Sequence, residues 1–124
     1  MTRRLLFLVP LLAAGPSFAG DVHARTPVGK APAGAVTLQN PYDSEDAAKR
    51  AGAKLFQRHC ASCHGQDAAG QNHAPALASP EVRNAPPGAL FWVLRNGSLR
   101  RGMPSFSHLP EPQRWQIVTY LKTL

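Results

Sequence analysis

Three stretches of the chain repeat their apolar side chains at the spacing of a helix, and no stretch alternates them as a strand does. They cover residues 44 to 59 or 60, 87 to 96, and 111 to 123. Acidic residues open the first, a proline opens the second, and Asn96-Gly97 would end the second. The pattern predicts an all-α fold with three helices.

The first part of the chain has the layout of an export signal. Arg3 and Arg4 precede an almost purely apolar run over residues 5–14, and small residues flank Phe18 in Ser17-Phe18-Ala19. This order predicts a signal peptide at residues 1–19, cleaved after Ala19, and therefore a periplasmic protein. The apolar run is much shorter than the ~20 residues that a membrane-spanning helix needs, so we expect no stable membrane span.

The rest of the chain divides by composition. Residues 20–41 are rich in Ala, Pro, Gly and Val and lack a helical period, which predicts a flexible linker or tail. The alternative is an irregular arm packed on the domain. Residues 42–124 would form that domain, with a long loop over 65–86. Three short helices bury little core, so a bound cofactor would help to stabilise the fold.

The only two cysteines, Cys60 and Cys63, are three residues apart, and His64 follows directly. On a helical turn such residues lie on one side, with Cβ atoms roughly 5–6 Å apart. Both sulfurs can then reach the two vinyl groups on one porphyrin edge, and the imidazole can face the iron, which indicates covalent haem attachment. A disulfide, a catalytic dithiol, and a zinc site completed by His59 or His73 remain alternatives.

A haem that only carries electrons needs a sixth iron ligand. Met103 is the only methionine after the predicted cleavage site, and it lies between Gly102 and Pro104 in a loop. A thioether favours ferrous iron and raises the reduction potential, so we predict that Met103 is this ligand. The alternatives are that Met103 fills the core, or that His73 or His108 takes its place.

The charge of the chain favours an acidic partner. Its formal net charge is +7, and removal of Arg3 and Arg4 with the signal peptide would leave +5. Such a protein is drawn to an acidic protein surface or to anionic lipid headgroups. Nucleic acid is excluded as a partner because the basic residues are scattered and the protein is exported. Arg95, Arg100 and Arg101 lie close to Met103 in the sequence, and we hypothesise that they form a docking face.

Taken together, these motifs resemble the class I cytochrome c family over residues 47–124. The matching features are Gly52 and Phe56, Cys60-x-x-Cys63-His64, Pro75-Ala76-Leu77, Gly102-Met103-Pro104, and Ile117 with Tyr120-Leu121. The resemblance implies that the N- and C-terminal helices cross near one covalently bound haem c. It implies thioether bonds to Cys60 and Cys63, with His64 and Met103 as the axial ligands of the iron.

The resemblance also assigns roles around the haem. Gly52 would let the two end helices cross closely, with Phe56 packed against Ile117 and Tyr120. Pro75 would offer its carbonyl to the second ring nitrogen of His64. Trp92 would either donate to a haem propionate or serve as a core aromatic residue.

Residues 90–97 and 113–118 are similar to small bacterial cytochromes that serve periplasmic dehydrogenases, especially quinoprotein alcohol or sugar dehydrogenases. The resemblance implies an electron carrier and not an enzyme. Its partners would be periplasmic redox proteins, with a dehydrogenase as donor and an oxidase or another cytochrome as acceptor. The alternatives are a subunit of a permanent complex, a gas sensor or haem enzyme with a labile sixth ligand, and a haem-free thiol oxidoreductase.

Overall fold

A computed structural model of the chain describes Gly15 and residues 26–124, and the named elements in these residues are all helical. The helices are α1 (Ala33–Val36), α2 (Asp46–His59), α3 (Ala61–His64), α4 (Pro80–Asn84), α5 (Pro87–Asn96) and α6 (Glu111–Leu121), with 3₁₀ turns at Val28–Lys30 and Leu99–Arg101. The predicted signal peptide lies outside the described residues, apart from Gly15. No helix among the described residues has the length and apolar character needed to cross a membrane.

The all-α prediction is confirmed, and the three predicted helices correspond to α2, α5 and α6. The α5 helix has the predicted limits, and Gly97 ends it with φ +68°. The α2 helix begins two residues later than predicted, because Ser44 has a φ of +63° and Glu45 is extended. The α6 helix ends at Leu121, two residues before the predicted end.

The core forms where α2 crosses α6. A Cβ atom on Gly52 would overlap the carbonyl of Gln116 and lie 2.9 Å from the Cβ of Tyr120, so the two helices are in backbone contact there. One turn further along α2, Phe56 is fully buried, and its ring centroid lies 5.4 Å from that of Tyr120. Ile117 belongs to the same buried cluster. The close crossing at Gly52 and the packing of Phe56 are therefore confirmed.

The α5 helix packs on α6 through aromatic rings. Phe91 stacks on Trp115 with ring centroids 3.9 Å apart and planes inclined by 11°. The guanidinium of Arg114 lies 4.8 Å from the centroid of the Phe91 ring, and this residue is buried. Within the described residues, its Nε and one terminal nitrogen have no hydrogen-bond partner. The contact with the ring face is therefore the interaction that compensates this buried charge in part.

The described part of the predicted tail is an ordered arm. The Val28–Lys30 turn and α1 both pack on α5, and Ala35 is buried. Asn40 is buried as well, and it donates to the hydroxyl of Thr119 (2.9 Å) and to the carbonyl of Trp115 (3.4 Å). The prediction of a flexible linker is wrong for residues 26–41, because these contacts with distant helices are invisible in the local composition. The alternative of a packed arm describes this part.

The long loop over 65–86 contains one helix that the apolar pattern did not predict, α4, and the short α3 lies directly before the loop. The α4 helix is a single turn that starts at Pro80, where the hydroxyl of Ser79 accepts from the backbone N–H of Val82 at 3.3 Å. The loop closes on fully buried Ala68, whose carbonyl accepts from Leu77 (2.8 Å) and Ala78 (3.0 Å). Ala68 also belongs to the buried cluster that contains Phe56 and Cys60 at the end of α2.

Candidate functional site

One tight turn joins α2 to α3 and carries the Cys-x-x-Cys-His motif. Cys60 ends α2, where its N–H donates to the carbonyl of Phe56 at 2.8 Å. The carbonyl of Cys60 then accepts from Cys63 (3.2 Å) and His64 (3.0 Å). This helical turn is the conformation that the three-residue spacing predicted for the motif.

The two cysteines are free thiols in different surroundings. Cys60 is 7% exposed, whereas Cys63 lies at the surface. Burial raises the pKa of the Cys60 thiol to about 11, and the neighbouring Cys63 adds to the rise. A thiol-exchange nucleophile needs a lowered pKa, so Cys60 lacks the character expected of a catalytic dithiol. The pair also does not form the disulfide considered as an alternative.

The histidines considered as further metal ligands lie in other surroundings. His59 is half-buried, and its ring centroid is 6.5 Å from that of His108 in an edge-on contact. His73 is exposed. Among the described residues, no group of three or more His, Cys, Asp or Glu side chains could hold a metal ion. The zinc site considered from the sequence is therefore not formed in this part of the chain.

His64 is buried and fixed in orientation. It is 9% exposed, and its Nδ1 lies 2.8 Å from the carbonyl oxygen of Pro75, as the resemblance implied. A carbonyl can only accept, so Nδ1 carries a proton, and in the neutral ring the lone pair is then on Nε2. A neutral imidazole in this tautomer is ready to bind iron through Nε2.

Gly70 places the Pro75 carbonyl. Its N–H donates to the carbonyl of His64 at 2.8 Å, and its φ is +83°. A Cβ atom on Gly70 would lie 2.7 Å from the nitrogen of Ala76 and 2.9 Å from the carbonyl carbon of Pro75. The loop therefore folds back on His64 only because this position has no side chain. Sequence reasoning missed Gly70, although an isolated loop glycine five residues before a proline was its visible signal.

Met103 lies in a loop that is closed by two backbone hydrogen bonds between Met103 and Ser98. The Ser98 N–H donates to the Met103 carbonyl at 2.9 Å, and the Met103 N–H donates to the Ser98 carbonyl at 3.1 Å. Gly97 backs directly onto Pro104, where a Cβ atom would lie 2.6 Å from the carbonyl. The Met103 side chain is half-buried and packs on the core cluster that includes Cys60. Sequence reasoning missed Ser98, because a backbone pairing leaves no mark in side-chain chemistry.

Trp92 is half-buried on α5, and its backbone carbonyl accepts from the side chain of Asn96 at 2.8 Å. Its role at a haem propionate stays a prediction.

The residues present fit a covalently attached haem. Cys60 and Cys63 offer two free thiols on one turn. His64 follows directly in the sequence, and because its Nδ1 is hydrogen-bonded, its Nε2 is the ring nitrogen that can bind iron. Met103 supplies a thioether packed on the same cluster as Cys60. Such a haem requires two thiols for its covalent attachment, and one imidazole and one methionine sulfur as iron ligands. These residues supply all four.

Comparisons with known proteins found cytochromes to be similar to this chain. The family model described as "Cytochrome C oxidase, cbb3-type, subunit III" matches residues 47–121. Among solved structures, the chain is similar to cytochrome cL of the marine methylotrophic bacterium Methylophaga aminisulfidivorans MPT, with 30% identity and a TM-score of 0.61. The match covers 70% of this chain and 59% of that structure, so it spans less than two thirds of the latter. No curated protein matches the chain.

Proposed function

Because this chain belongs to the c-type cytochromes, in the family described as cytochrome c oxidase, cbb3-type, subunit III, we propose that it carries single electrons and that His64 and Met103 are the axial ligands of its iron. Membership of the cytochrome c family implies one covalently attached haem c. When bound, the haem supplies one-electron exchange between ferric and ferrous iron. The observation that supports the assignment best is the hydrogen bond between His64 Nδ1 and the Pro75 carbonyl, since it leaves Nε2 free toward the iron.

Each side chain of the motif has one task in this proposal. Cys60 and Cys63 would form the two thioether bonds and so hold the haem at the turn between α2 and α3. His64 keeps a fixed orientation because the Pro75 carbonyl accepts its Nδ1–H. Met103 would supply the sixth ligand, and its soft sulfur would stabilise ferrous iron and raise the reduction potential. With His64 and Met103 both bound, no position on the iron would be open to substrate, and the haem would serve electron exchange alone.

The compartment and the partners are the finer part of the proposal. The predicted signal peptide supports a periplasmic location, and the excess of Lys and Arg supports acidic partner surfaces. We assign the protein a place between a periplasmic dehydrogenase of the quinoprotein class as donor and an oxidase or another cytochrome as acceptor. Similarity of residues 90–97 and 113–118 to cytochromes that serve such dehydrogenases supports this order.

A second candidate shares the chemistry but differs in assembly. The matching family is described as an oxidase subunit, which supports a haem-bearing subunit held permanently in a larger complex. Purification from native membranes and periplasm distinguishes the two. A carrier elutes alone from the periplasmic fraction, whereas a subunit elutes with its complex.

The test of the proposed function is a visible spectrum of the exported, haem-loaded protein in the oxidised and the reduced state. We expect a low-spin spectrum with sharp reduced α and β bands, and haem that stays on the chain after denaturation. The weak methionine–iron band at the red end of the spectrum should vanish in Met103→Ala. The same band should persist in His73→Ala and His108→Ala, the matched controls for the alternative ligands.

Two results would contradict the proposal. A high-spin spectrum with ready binding of carbon monoxide would favour a sensor or enzyme with a labile sixth ligand. A protein that acquires no haem in a host with working attachment machinery would return Cys60 and Cys63 to thiol chemistry.

A further inference from the structure

The loop that carries Met103 holds a leucine out in the solvent. Leu99 is 75% exposed, compared with 45% for Leu38 and 37% for Val36, the other large exposed apolar side chains of the described residues. A single exposed leucine is common on protein surfaces and by itself has no meaning. Leu99 differs from such a residue in its position, because it lies in the 3₁₀ turn Leu99–Arg101 beside the proposed iron ligand Met103.

The backbone around Leu99 is fixed before any partner arrives. The paired bonds between Ser98 and Met103 close the loop, and inside it Arg101 donates to the Ser98 carbonyl (2.8 Å) and Gly102 to the Leu99 carbonyl (3.0 Å). Four backbone bonds therefore order the few residues of the tip. A preformed tip loses little conformational entropy on binding, which favours its use as an anchor. The same bonds connect the tip rigidly to Met103.

The charged residues on either side of Leu99 in the sequence are all basic. Arg95, Arg100 and Arg101 are all exposed, and no Asp or Glu lies between Glu81 and Glu111 in the sequence. An apolar side chain with basic neighbours complements an acidic surface that has an apolar depression. The charges steer the encounter and set its orientation, and the buried apolar contact supplies the affinity.

We propose that Leu99 is the apolar anchor of the docking surface, with Arg95 and Arg100 as its basic rim, and that it binds an acidic redox protein with an apolar depression. The inference rests on the proposed function, because it places the partner next to the Met103 side of the haem. It extends the arginine docking hypothesis by assigning the affinity to a side chain without charge.

The test uses the full haem-loaded protein at a gold electrode with a defined monolayer as the model partner. One monolayer mixes carboxylate- and methyl-terminated alkanethiols, and the other carries carboxylates alone. We expect Leu99→Ser to weaken adsorption on the mixed monolayer by roughly tenfold or more, and to change adsorption little on the carboxylate monolayer. Arg100→Gln should weaken adsorption on both and reduce its dependence on salt.

Leu38→Ser is the matched control. Among the described residues Leu38 is the next most exposed leucine, and it lies near Gly88 at the start of α5, about 14 Å of helix away from Gly97. This variant should adsorb as the parent protein does on both monolayers. The midpoint potential and the low-spin spectrum should be the same in all four proteins, which shows that the iron site is intact.

Three outcomes would overturn the inference. Equal adsorption of Leu99→Ser and the parent on the mixed monolayer would remove Leu99 as an anchor. An equal loss in Leu38→Ser would indicate general surface hydrophobicity. Binding to vesicles of anionic phospholipid that Leu99→Ser abolishes would assign the tip to a membrane surface. In each case a low-spin spectrum and a reversible redox couple would leave the proposed function standing. The absence of a redox couple in the parent protein would refute that function.

Discussion

His64 donates its Nδ1–H to the carbonyl oxygen of Pro75 across 2.8 Å. The acceptor belongs to the backbone, so the bond depends on the path of the loop and hardly on the proline ring. Gly70 sets that path, because its missing side chain lets residues 74–76 lie against it. A glycine with no polar side chain therefore controls the orientation of the proposed iron ligand.

Gly70→Ala should disturb this arrangement. The new Cβ overlaps the backbone of residues 74–76 and displaces the Pro75 carbonyl. Without that acceptor the imidazole donates less charge to the iron, so the midpoint potential should become more positive. The free energy of unfolding should fall by about 2–4 kcal/mol, from overlap and positive φ together. Redox titration and denaturant unfolding measure the two effects.

Gly102→Ala is the control for the backbone strain in Gly70→Ala. Gly102 also has φ +83°, but nothing lies within 4 Å of a Cβ added there. We expect a loss of only about 1 kcal/mol from the positive φ. Equal losses in the two variants would show that the overlap at residues 74–76 has no effect.

Gly97→Ala should loosen Met103. A Cβ on Gly97 would lie 2.6 Å from the carbonyl of Pro104, so the two sides of the loop must separate and the Ser98–Met103 pairing must weaken. The methionine–iron band should weaken, and added imidazole should bind the ferric protein at lower concentration than it binds the parent. Gly102→Ala again supplies the comparison at a similar φ. An unchanged imidazole affinity in Gly97→Ala would contradict the role of this loop.

Gly52→Ala should separate the two crossing helices. The added methyl overlaps the Gln116 carbonyl, and neither helix backbone can move aside without loss of packing around Phe56. We expect a loss of roughly 3 kcal/mol in unfolding free energy. Gly34→Ala, also in a helix but with nothing within 4 Å, should be neutral or gain up to about 1 kcal/mol. A similar small effect at both glycines would contradict a close crossing.

Thr119→Val should release the arm. Its hydroxyl accepts from the Asn40 side-chain NH2 group at 2.9 Å, and valine leaves that NH2 group with only the longer bond to the Trp115 carbonyl. The expected cost is about 1–3 kcal/mol, with faster proteolytic cleavage within residues 26–41. Thr123→Val, at an exposed threonine that bonds only its own helix end, should cost less than ~0.5 kcal/mol and leave the cleavage rate unchanged. Equal cleavage in both variants would contradict anchoring through Asn40.

The sequence by itself determined the all-α class, the helical stretches that became α2, α5 and α6, and the Cys60–Cys63–His64 turn. These features are local, because helical periodicity, caps and a three-residue spacing act within a few residues. The resemblance added two contacts between distant residues, Gly52 with α6 and His64 with Pro75, and both are present.

Only the tertiary structure decided that residues 26–41 form a packed arm. It also decided that Gly70 shapes the loop against His64 and that Gly97 shapes the loop of Met103. The exposure of Leu99 and the burial of Arg114 likewise depend on the folded chain. Asn40 meets Thr119 from 79 positions away, and no local pattern records that hydrogen bond. Local order follows from nearest-neighbour sterics and hydrogen bonding, which the sequence displays directly. The burial of a side chain, and the distance between two backbone segments far apart in the sequence, depend on which other parts of the chain pack against them. Those contacts form only when the whole chain folds.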